Sequence, residues 1–411
     1  MIVRRSAAVL AAIAVLGGGP AAAAVAATPS PSASPSLPHG LYGTADPTYD
    51  GVWRQSLALL AQHTTGVLPA TEAVDWLTGQ QCDSGAFAPY RAQPTAKCDA
   101  KTPVDTNNTA AAVQALAALG GHGAQTGKAL TWLKSVQNKD GGWGYTAGSP
   151  SDANSTSVVI GALTAAGERP GDVHKDGKSP YDALLKLALP CHGDGAGAFA
   201  YQPDKKGGLT ANADATAAAV VGALGKGLAG AAARPDGTAP ACKEATDPGQ
   251  AARNGAAYLG KALAKDQHLT SALPGAKDQP DYGNTADAVI ALATAGRGER
   301  ATGALHWLET HHGPWARQNG PAAYAQLILA AHAMGTDPRH FGGSDLVTAL
   351  NATGPAPQAA GRTGRTEKTD APGKKTGSGS GFGVWWTVGV CLVAGIGVGF
   401  LLSGRRKGRQ P

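Results

Sequence analysis

Four short segments share the pattern that specifies the fold of this chain: Asp105-Thr-Asn-Asn-Thr109-Ala, Asp152-Ala-Asn-Ser-Thr156-Ser, Asn212-Ala-Asp-Ala-Thr216-Ala and Asp281-Tyr-Gly-Asn-Thr285-Ala. Each has Asp or Asn four residues before a threonine, and each leads into a stretch rich in alanine, valine and leucine. Successive threonines are 47, 60 and 69 residues apart. Self-similarity of this kind is typical of repeat architectures. We therefore predict repeated units, each with a helix that starts at one of these segments.

A second kind of helix is predicted between the first kind. Its apolar residues recur at helical spacing, and it occurs at Ala73-Val-Asp-Trp76-Leu, Ala129-Leu-Thr-Trp132-Leu, Ala183-Leu-Leu-Lys-Leu187, Ala256-Ala-Tyr-Leu259, Ala304-Leu-His-Trp307-Leu and Ser344–Leu350. Degenerate copies of the first pattern lie at Asp50-Gly-Val-Trp53 and Asn319-Gly-Pro-Ala-Ala-Tyr324. No stretch alternates like a strand, so the predicted class is all-α. Six helix pairs of about 50 residues would close into a ring of inner and outer helices.

Three of the outer helices are predicted to run into loops that contain glycine and an aromatic residue: Gln80-Gln-Cys-Asp-Ser-Gly85-Ala-Phe87, Gln137-Asn-Lys-Asp-Gly-Gly142-Trp143 and His311-His-Gly313-Pro-Trp315. The string Trp132-Leu-x-x-x-Gln137-x-x-x-Gly141-Gly142-Trp143 resembles the QW repeat of the prenyltransferase and squalene–hopene cyclase superfamily. The resemblance covers residues 48–352 and implies an (α/α)6 toroid. It also implies that Gln137 caps a helix end while the Trp143 ring stacks beside it, so that both residues are structural.

The acid motif of the related enzymes is depleted here. Class II terpene cyclases protonate their substrate with a D-x-D-D-T-A motif, and Asn212-Ala-Asp214-Ala-Thr216-Ala falls on that pattern with only the middle acid kept. Since Asp105 with Asn107 and Asp152 with Asn154 occupy equivalent places, we interpret these residues as helix N-caps, which accept a hydrogen bond from a free backbone N–H. No catalytic residue is predicted, and the chain is expected not to be an enzyme.

Metal chemistry is not predicted either. Prenyltransferase β-subunits hold zinc with Asp, Cys and His, but no cysteine lies two residues beyond any repeat aspartate, and the adjacent His311 and His312 make a poor site alone. Cysteines 82, 98, 191 and 242 instead suit disulfides in an oxidising compartment. Their order suggests Cys82–Cys98 and Cys191–Cys242, although the sequence allows three pairings.

A binding surface is the functional prediction that remains. The starts of the inner helices should gather at one mouth of the ring, where amides and tyrosines would suit a bulky ligand of mixed polarity. The predicted ligand-binding residues are Asp105, Asn107, Asn108, Asp152, Asn154, Asp214, Tyr282, Asn284, Tyr145 and Tyr201. One branch of the superfamily, resembling intrinsic factor and transcobalamin, holds cobalamin at this end of the toroid, which makes a corrinoid the candidate ligand. That branch adds a small β-rich domain that closes over the ligand, and nothing here resembles it.

Both ends of the chain indicate export and anchoring. Residues 1–27 have two arginines, a short apolar core and an A-x-A-like end, as in a cleavable signal peptide. Residues 28–47 are predicted to be a flexible spacer, residues 48–353 the toroid and residues 354–382 a stalk rich in Gly, Pro, Ser and Lys. Residues 383–402 are uncharged and long enough to span a bilayer, and the basic tail 403–411 then lies in the cytoplasm.

The charge distribution agrees with this topology. The formal charge is +6, but without the signal and the basic C-terminal region the chain has 24 basic and 27 acidic residues. A nucleic-acid partner is therefore not indicated. The sequence predicts a single-pass type I membrane protein, with its toroid outside the cell, that captures a small molecule and serves a membrane transporter. The alternatives are a terpene cyclase or prenyltransferase-type enzyme and a structural surface protein.

Overall fold

The computed structural model describes residues 39–235, 237, 242–271 and 278–359. The predicted signal peptide, membrane helix and basic tail lie outside these described residues, as does the stalk from residue 360 onward. Among the helices that are described, none is long and apolar enough to cross a bilayer.

In the described stretches the chain forms twelve α-helices of two alternating kinds, which confirms the all-α prediction. The inner helices are α1 (Gly51–Thr64), α3 (Thr106–Leu119), α5 (Ala153–Ala165), α7 (Ala213–Ala223), α9 (Tyr282–Thr294) and α11 (Pro321–Met334). The outer helices are α2 (Thr71–Gly79), α4 (Gly123–Ser135), α6 (Pro180–Leu187), α8 (Pro248–Leu263), α10 (Gly298–Asn319) and α12 (Leu346–Asn351). A two-residue hairpin pairs β1 (Leu269–Thr270) with β2 (Pro280–Asp281) in antiparallel register.

The inner helices close on themselves. Each packs against the next inner helix along the chain, and α11 returns to pack against α1. Each inner helix also packs against the outer helix that follows it. Helices α3 and α5 are buried on every side from their first residue to Leu116 and Leu163. Small side chains such as alanine are needed there because six helices crowd around one axis.

The repeat segments start the inner helices as predicted. The side chains of the N-cap residues accept hydrogen bonds from backbone N–H groups three residues later, at 2.7 Å for Asp105, 2.6 Å for Asp152, 2.8 Å for Asn212 and 3.1 Å for Asp281. The cap interpretation is confirmed for these four residues. A cap of this type contributes about 1 kcal/mol to helix stability.

The repeated threonine joins each inner helix to the loop before it. The Thr156 hydroxyl accepts from the backbone N–H of Trp143 at 3.1 Å. The equivalent hydroxyls accept from the same backbone position in the other repeats, over 2.9 to 3.0 Å, in the pairs Thr109–Phe87, Thr216–Phe199 and Thr285–Leu269. Because a buried N–H without a partner costs about 1–3 kcal/mol, the threonine is explained by structure and not by chemistry on a substrate.

The expectation from the resemblance that Gln137 caps the end of helix α4 is wrong. The Trp143 indole N–H donates to the carbonyl of Leu133, in the last turn of α4, at 2.7 Å. The Gln137 amide donates instead to the carbonyl of Gly141, within the loop, at 2.7 Å. The tryptophan therefore caps the helix end and the glutamine holds the loop, because a fully buried indole N–H must find an acceptor.

The loop predicted at 311–315 is wrong. These residues lie inside α10, which continues through Pro314 to Asn319. The buried residues of α10 recur at helical spacing up to His312 and Ala316, so one continuous apolar face is buried. Burial of that face outweighs the hydrogen bond that a proline removes from a helix. His311 and His312 are successive residues of this helix; the His311 ring stacks on Trp307 and the His312 ring meets the edge of Phe341.

Two disulfides join Cys82 to Cys98 and Cys191 to Cys242, which settles the pairing that the sequence left open. The ends of the described chain also meet, since the Gly43 N–H donates to the Thr353 carbonyl at 2.8 Å. Tyr42 falls within the expected spacer but is fully buried, and its hydroxyl donates to Gln62 of α1 at 3.1 Å.

Candidate ligand site at the mouth of the ring

The N-terminal ends of the inner helices and the loops before them meet at one end of the ring. The backbone N–H of Thr106 donates to the Tyr145 carbonyl at 2.9 Å, and the Ala153 N–H donates to the Tyr201 carbonyl at 3.0 Å. Each loop thus covers the start of the preceding inner helix. We call this end, formed by residues 105–109, 152–156, 212–216 and 281–285, the mouth.

Four of the ten predicted ligand-binding residues are occupied in helix caps. The Asn108 amide donates to Asp105 at 2.8 Å, and the Asn284 amide donates to Asp281 at the same distance. Asp152 accepts from both the backbone and the hydroxyl of Ser155. Asp105, Asn108, Asp152 and Asn284 therefore stabilise the rim of the mouth, whether or not a ligand is bound.

The three predicted tyrosines fall into two groups. The phenol groups of Tyr145 and Tyr201 lie near the carboxyls of Asp105 and Asp152, and burial raises the pKa of both phenols. Tyr282 belongs to an aromatic cluster instead, with ring centroids 4.8 Å from Trp307 and 5.3 Å from Trp315. Its ring is thus packed between helices α9 and α10.

The remaining three predicted residues form the candidate site. Asn107, Asn154 and Asp214 each lie two residues after an N-cap, on α3, α5 and α7. The Asn154 amide donates to the Asp214 carboxylate at 2.9 Å, which shows that this position faces the neighbouring inner helix. Asn107, Asn154 and Asp214 therefore cap no helix, contrary to our interpretation from the sequence. The caps of α3, α5 and α7 are Asp105, Asp152 and Asn212.

Two residues of the site are not identified by the sequence pattern. Asp287 lies in α9 one helical turn beyond Gly283, and Gln326 of α11 donates to the Asp287 carboxylate at 2.8 Å and to the Gly283 carbonyl at 3.1 Å. The one signal for them is a charge inside the otherwise apolar run Thr285-Ala-Asp287-Ala-Val-Ile. The site thus extends from Asn107 through Asn154, Asp214 and Asp287 to Gln326, across five inner helices.

We call these five side chains the arc. The electrostatics of the arc and of the neighbouring caps favour protonated carboxyls. Burial, followed by the charge of Asp287, raises the pKa of Asp214 to about 7. Burial likewise raises the pKa values of Asp287, Asp105 and Asp152 to about 6. In each case the charged form loses solvation that neighbouring hydrogen-bond donors restore only in part.

We expect the free energy of unfolding to fall as the pH rises from about 4 to about 7. The four raised pKa values mean that the folded chain binds more protons than the unfolded chain, in which the carboxyls have a pKa of 3.8. The stabilisation is fully present below the unfolded pKa and is lost as the pH passes the folded pKa. Urea denaturation at several pH values between 4.5 and 7.5 measures this trend.

Asp214→Asn isolates the residue that titrates at the highest pH. The variant should show a shallower fall between pH 6 and 7.5 than the parent, whereas Asp337→Asn, at an exposed site with a lowered pKa, should leave that slope unchanged. Burial lowers the pKa of His332, which acts in the opposite direction, so the comparison of variants is more informative than the parent alone. Equal slopes for parent and Asp214→Asn would contradict the assignment.

The end of the ring opposite the mouth is covered. Residues 225–235 pass across the C-terminal parts of α3, α5 and α9: the Leu228 N–H donates to Gln114 at 2.8 Å, and the Ala233 N–H donates to the Ala293 carbonyl at 3.0 Å. A Cβ atom at Gly161 would lie 2.8 Å from the Gly227 Cα, so glycine is required for this close approach.

Two depressions on the described surface lie away from the mouth. One depression on the described surface is lined by Lys134, Glu168 and Arg169, and another by Arg91 and Lys101, and neither includes any of the ten predicted residues. The described residues hold no group of three or more His, Cys, Asp or Glu side chains that is suited to a metal ion.

Comparison with known proteins adds little to this description. No family model and no curated protein matches the chain. Among solved structures, a protein from Actinoplanes is 16% identical with a TM-score of 0.46 and covers 72% of this chain and 93% of its own. The ent-copalyl diphosphate synthase from Streptomyces platensis is 15% identical with a TM-score of 0.47, and the match covers 69% of this chain and 50% of the synthase. Likenesses at this level do not indicate function.

Proposed function

We propose that this chain is an exported, membrane-anchored protein that captures a small molecule at the mouth of its ring without transforming it. The topology rests on the signal-like residues 1–27 and the apolar residues 383–402, with the ring outside the cell as in a type I membrane protein. Two disulfides support an oxidising compartment. A membrane transporter that accepts the captured molecule is the expected partner.

The observation that carries the binding proposal is the state of Asn107. Its side chain is 2% exposed, and neither its amide nitrogen nor its amide oxygen has a hydrogen-bond partner. A buried polar group without a partner costs about 1–3 kcal/mol, and such groups call for a specific explanation. A ligand that pairs with Asn107 supplies one.

Because the far end of the ring is covered, we infer that the ligand binds on a shallow face at the mouth and not in a deep cavity. A bulky ligand would lie across the mouth, where amide groups and protonated carboxyls offer both donors and acceptors. A corrinoid fits this description because its edge carries many primary carboxamides, and cobalamin is therefore the ligand to test first. No cofactor is required for such capture.

Isothermal titration of the purified full-length chain with cobalamin and with cobinamide tests the corrinoid version. We expect measurable heat with at least one of them, and at least tenfold weaker binding by Asn107→Leu. Gln318→Leu, at an exposed position on α10, is the matched control and should bind like the parent. Absence of both heat and a thermal shift with either corrinoid would exclude this version.

One observation favours the enzymatic alternative. Asp214 caps no helix and keeps a proton near neutral pH, since its pKa is about 7, so it is suited to protonate a substrate such as the alkene of a terpene. The burial of α3 and α5 on every side argues against it, because a cyclase must enclose a folded hydrocarbon in a cavity. Product analysis after incubation with squalene or a prenyl diphosphate tests the alternative; turnover that Asp214→Asn abolishes would establish it in place of simple capture.

A further inference from the structure

When Asp214 and Asp287 are ionised, the arc of the mouth offers many hydrogen-bond acceptors and few donors. The amide oxygens of Asn107, Asn108 and Asn154 are buried and have no partner. Asp214 and Asp287 each use one carboxylate oxygen in their hydrogen bonds to Asn154 and Gln326, and the second oxygen of each remains available. The unpartnered donors among the described mouth residues are the amide nitrogen of Asn107 and the hydroxyl of Thr106.

Asn107 occupies the first position of this arc. It occupies the same place on α3 as Asn154 on α5 and Asp214 on α7, two residues after the N-cap. The hydrogen bond of 2.9 Å between Asn154 and Asp214 shows that side chains at this place reach across to the next inner helix. Asn107 thus occupies the place from which Asn154 reaches its neighbour, but both polar atoms of its own amide have no partner.

The carboxyls of the arc have no cationic partner in the part of the chain that the structure describes. Asp214 and Asp287 repel one another, Asp281 adds to the repulsion, and no lysine or arginine offsets it. The Asn154 and Gln326 amides are the groups that stabilise the two charges. Opposite charge that arrives with a ligand would therefore be favoured, and an anion would be repelled.

We propose that the mouth binds the ammonium group of an organic amine, with Asp214 and Asp287 as its counter-charges and the oxygens of Asn107 and Asn154 as acceptors for its N–H groups. This inference rests on the proposed function, since it names the ligand chemistry of the same site. An ammonium carries three N–H donors on one point charge, and the arc presents oxygens from neighbouring helices at one end of the ring. Binding favours the ionised carboxyls, so it releases protons to solvent near pH 6.5.

Butane-1,4-diamine and butane-1,4-diol are matched probes of equal length, one charged and one neutral. Titration calorimetry of the full-length chain at pH 6.5, in two buffers with different ionisation enthalpies, measures both affinity and the protons released. We expect the diamine to bind with net proton release and the diol to bind at least tenfold more weakly. Equal affinities, or diamine binding without proton release, would overturn the proposal.

Two variants and a control assign the effect to the mouth. Asp214→Asn keeps the shape of the side chain and removes its charge, and we expect at least a tenfold loss of diamine affinity. Asp287→Asn provides the same test should the first variant fail to fold, as judged by circular dichroism. Asp83→Asn changes an exposed acid outside the mouth and should bind as the parent does. A parent-like affinity in both mouth variants would place diamine binding elsewhere and refute the proposal.

The corrinoid titration separates this inference from the proposed function. Corrinoid binding with no diamine binding would leave ligand capture standing and refute the ammonium site. Diamine binding that is lost in Asp214→Asn, with no corrinoid binding, would support the ammonium site and exclude the corrinoid version of capture. If neither class of ligand binds, the corrinoid version of capture and the ammonium site are both refuted.

Discussion

Gly141→Ala is expected to destabilise the fold by about 4 kcal/mol, because it combines backbone strain with overpacking. Gly141 has a φ of +91°, a conformation that alanine adopts only at a cost. A Cβ atom at this position would lie 2.2 Å from the carbonyl oxygen of Ser179, which is backbone and cannot rotate away. Ser179 is the N-cap of α6 and forms a capping box with Asp182, so the substitution disturbs the start of the next outer helix.

Gly148→Ala is the matched control for that variant. Gly148 also has a positive φ, +79°, but a Cβ atom at this position would have no heavy atom within 4 Å. It should therefore show the backbone strain alone, about 1–2 kcal/mol. Urea denaturation of parent and variants gives the difference in unfolding free energy, and similar losses for the two glycines would contradict the close approach of the Gly141 loop to α6.

Removal of the Cys191–Cys242 disulfide is expected to cost about 4 kcal/mol, and removal of Cys82–Cys98 about 3 kcal/mol, on the chain-entropy account of disulfides. The two bridges span sequence separations of 51 and 16 residues. The longer one encloses helix α7, which carries Asp214, and residues 225–235, which cover the far end of the ring. Its loss therefore frees more of the unfolded chain.

Double alanine variants of each pair, compared by urea denaturation under non-reducing conditions, test this order. Cys191→Ala/Cys242→Ala should have the lower unfolding free energy of the two. A larger loss from Cys82→Ala/Cys98→Ala would contradict the entropic argument and would indicate that the shorter loop is held by native contacts. In either case the measured loss of unfolding free energy shows how much of the stability depends on disulfides, and therefore on an oxidising compartment.

The repeat pattern is sufficient to locate the helices of both kinds along the chain. The caps at Asp105, Asp152, Asn212 and Asp281 are predictable because a cap is a local contact over three residues. The loop at Gln137 is also located correctly, yet Trp143 and not Gln137 caps the end of the helix. Which polar atom meets the free carbonyl of Leu133 depends on burial of the indole ring, and a sequence motif does not specify that.

The candidate site is predictable only in part, as Asp214 shows. By sequence it is one more residue of a cap segment, and in the structure its partner is Asn154, which lies 60 positions earlier in the chain. Asp287 and Gln326, 39 positions apart, escape the sequence pattern for the same reason. The extension of α10 through Pro314 likewise depends on a face that is buried by other helices.

The class, the alternation of two kinds of helix and the residues that begin the inner ones therefore follow from the sequence, because they depend on contacts between near neighbours in the chain. Closure of the ring, in contrast, sets which polar side chains remain without partners. Asn107 and Asn154 lie in equivalent segments, but ring closure brings an aspartate to Asn154 and leaves the Asn107 amide free. The hydrogen-bond partners of these side chains depend on contacts between different helices, which only the tertiary structure shows. The side chains left without partners are the reason that ligand chemistry can be proposed at the mouth.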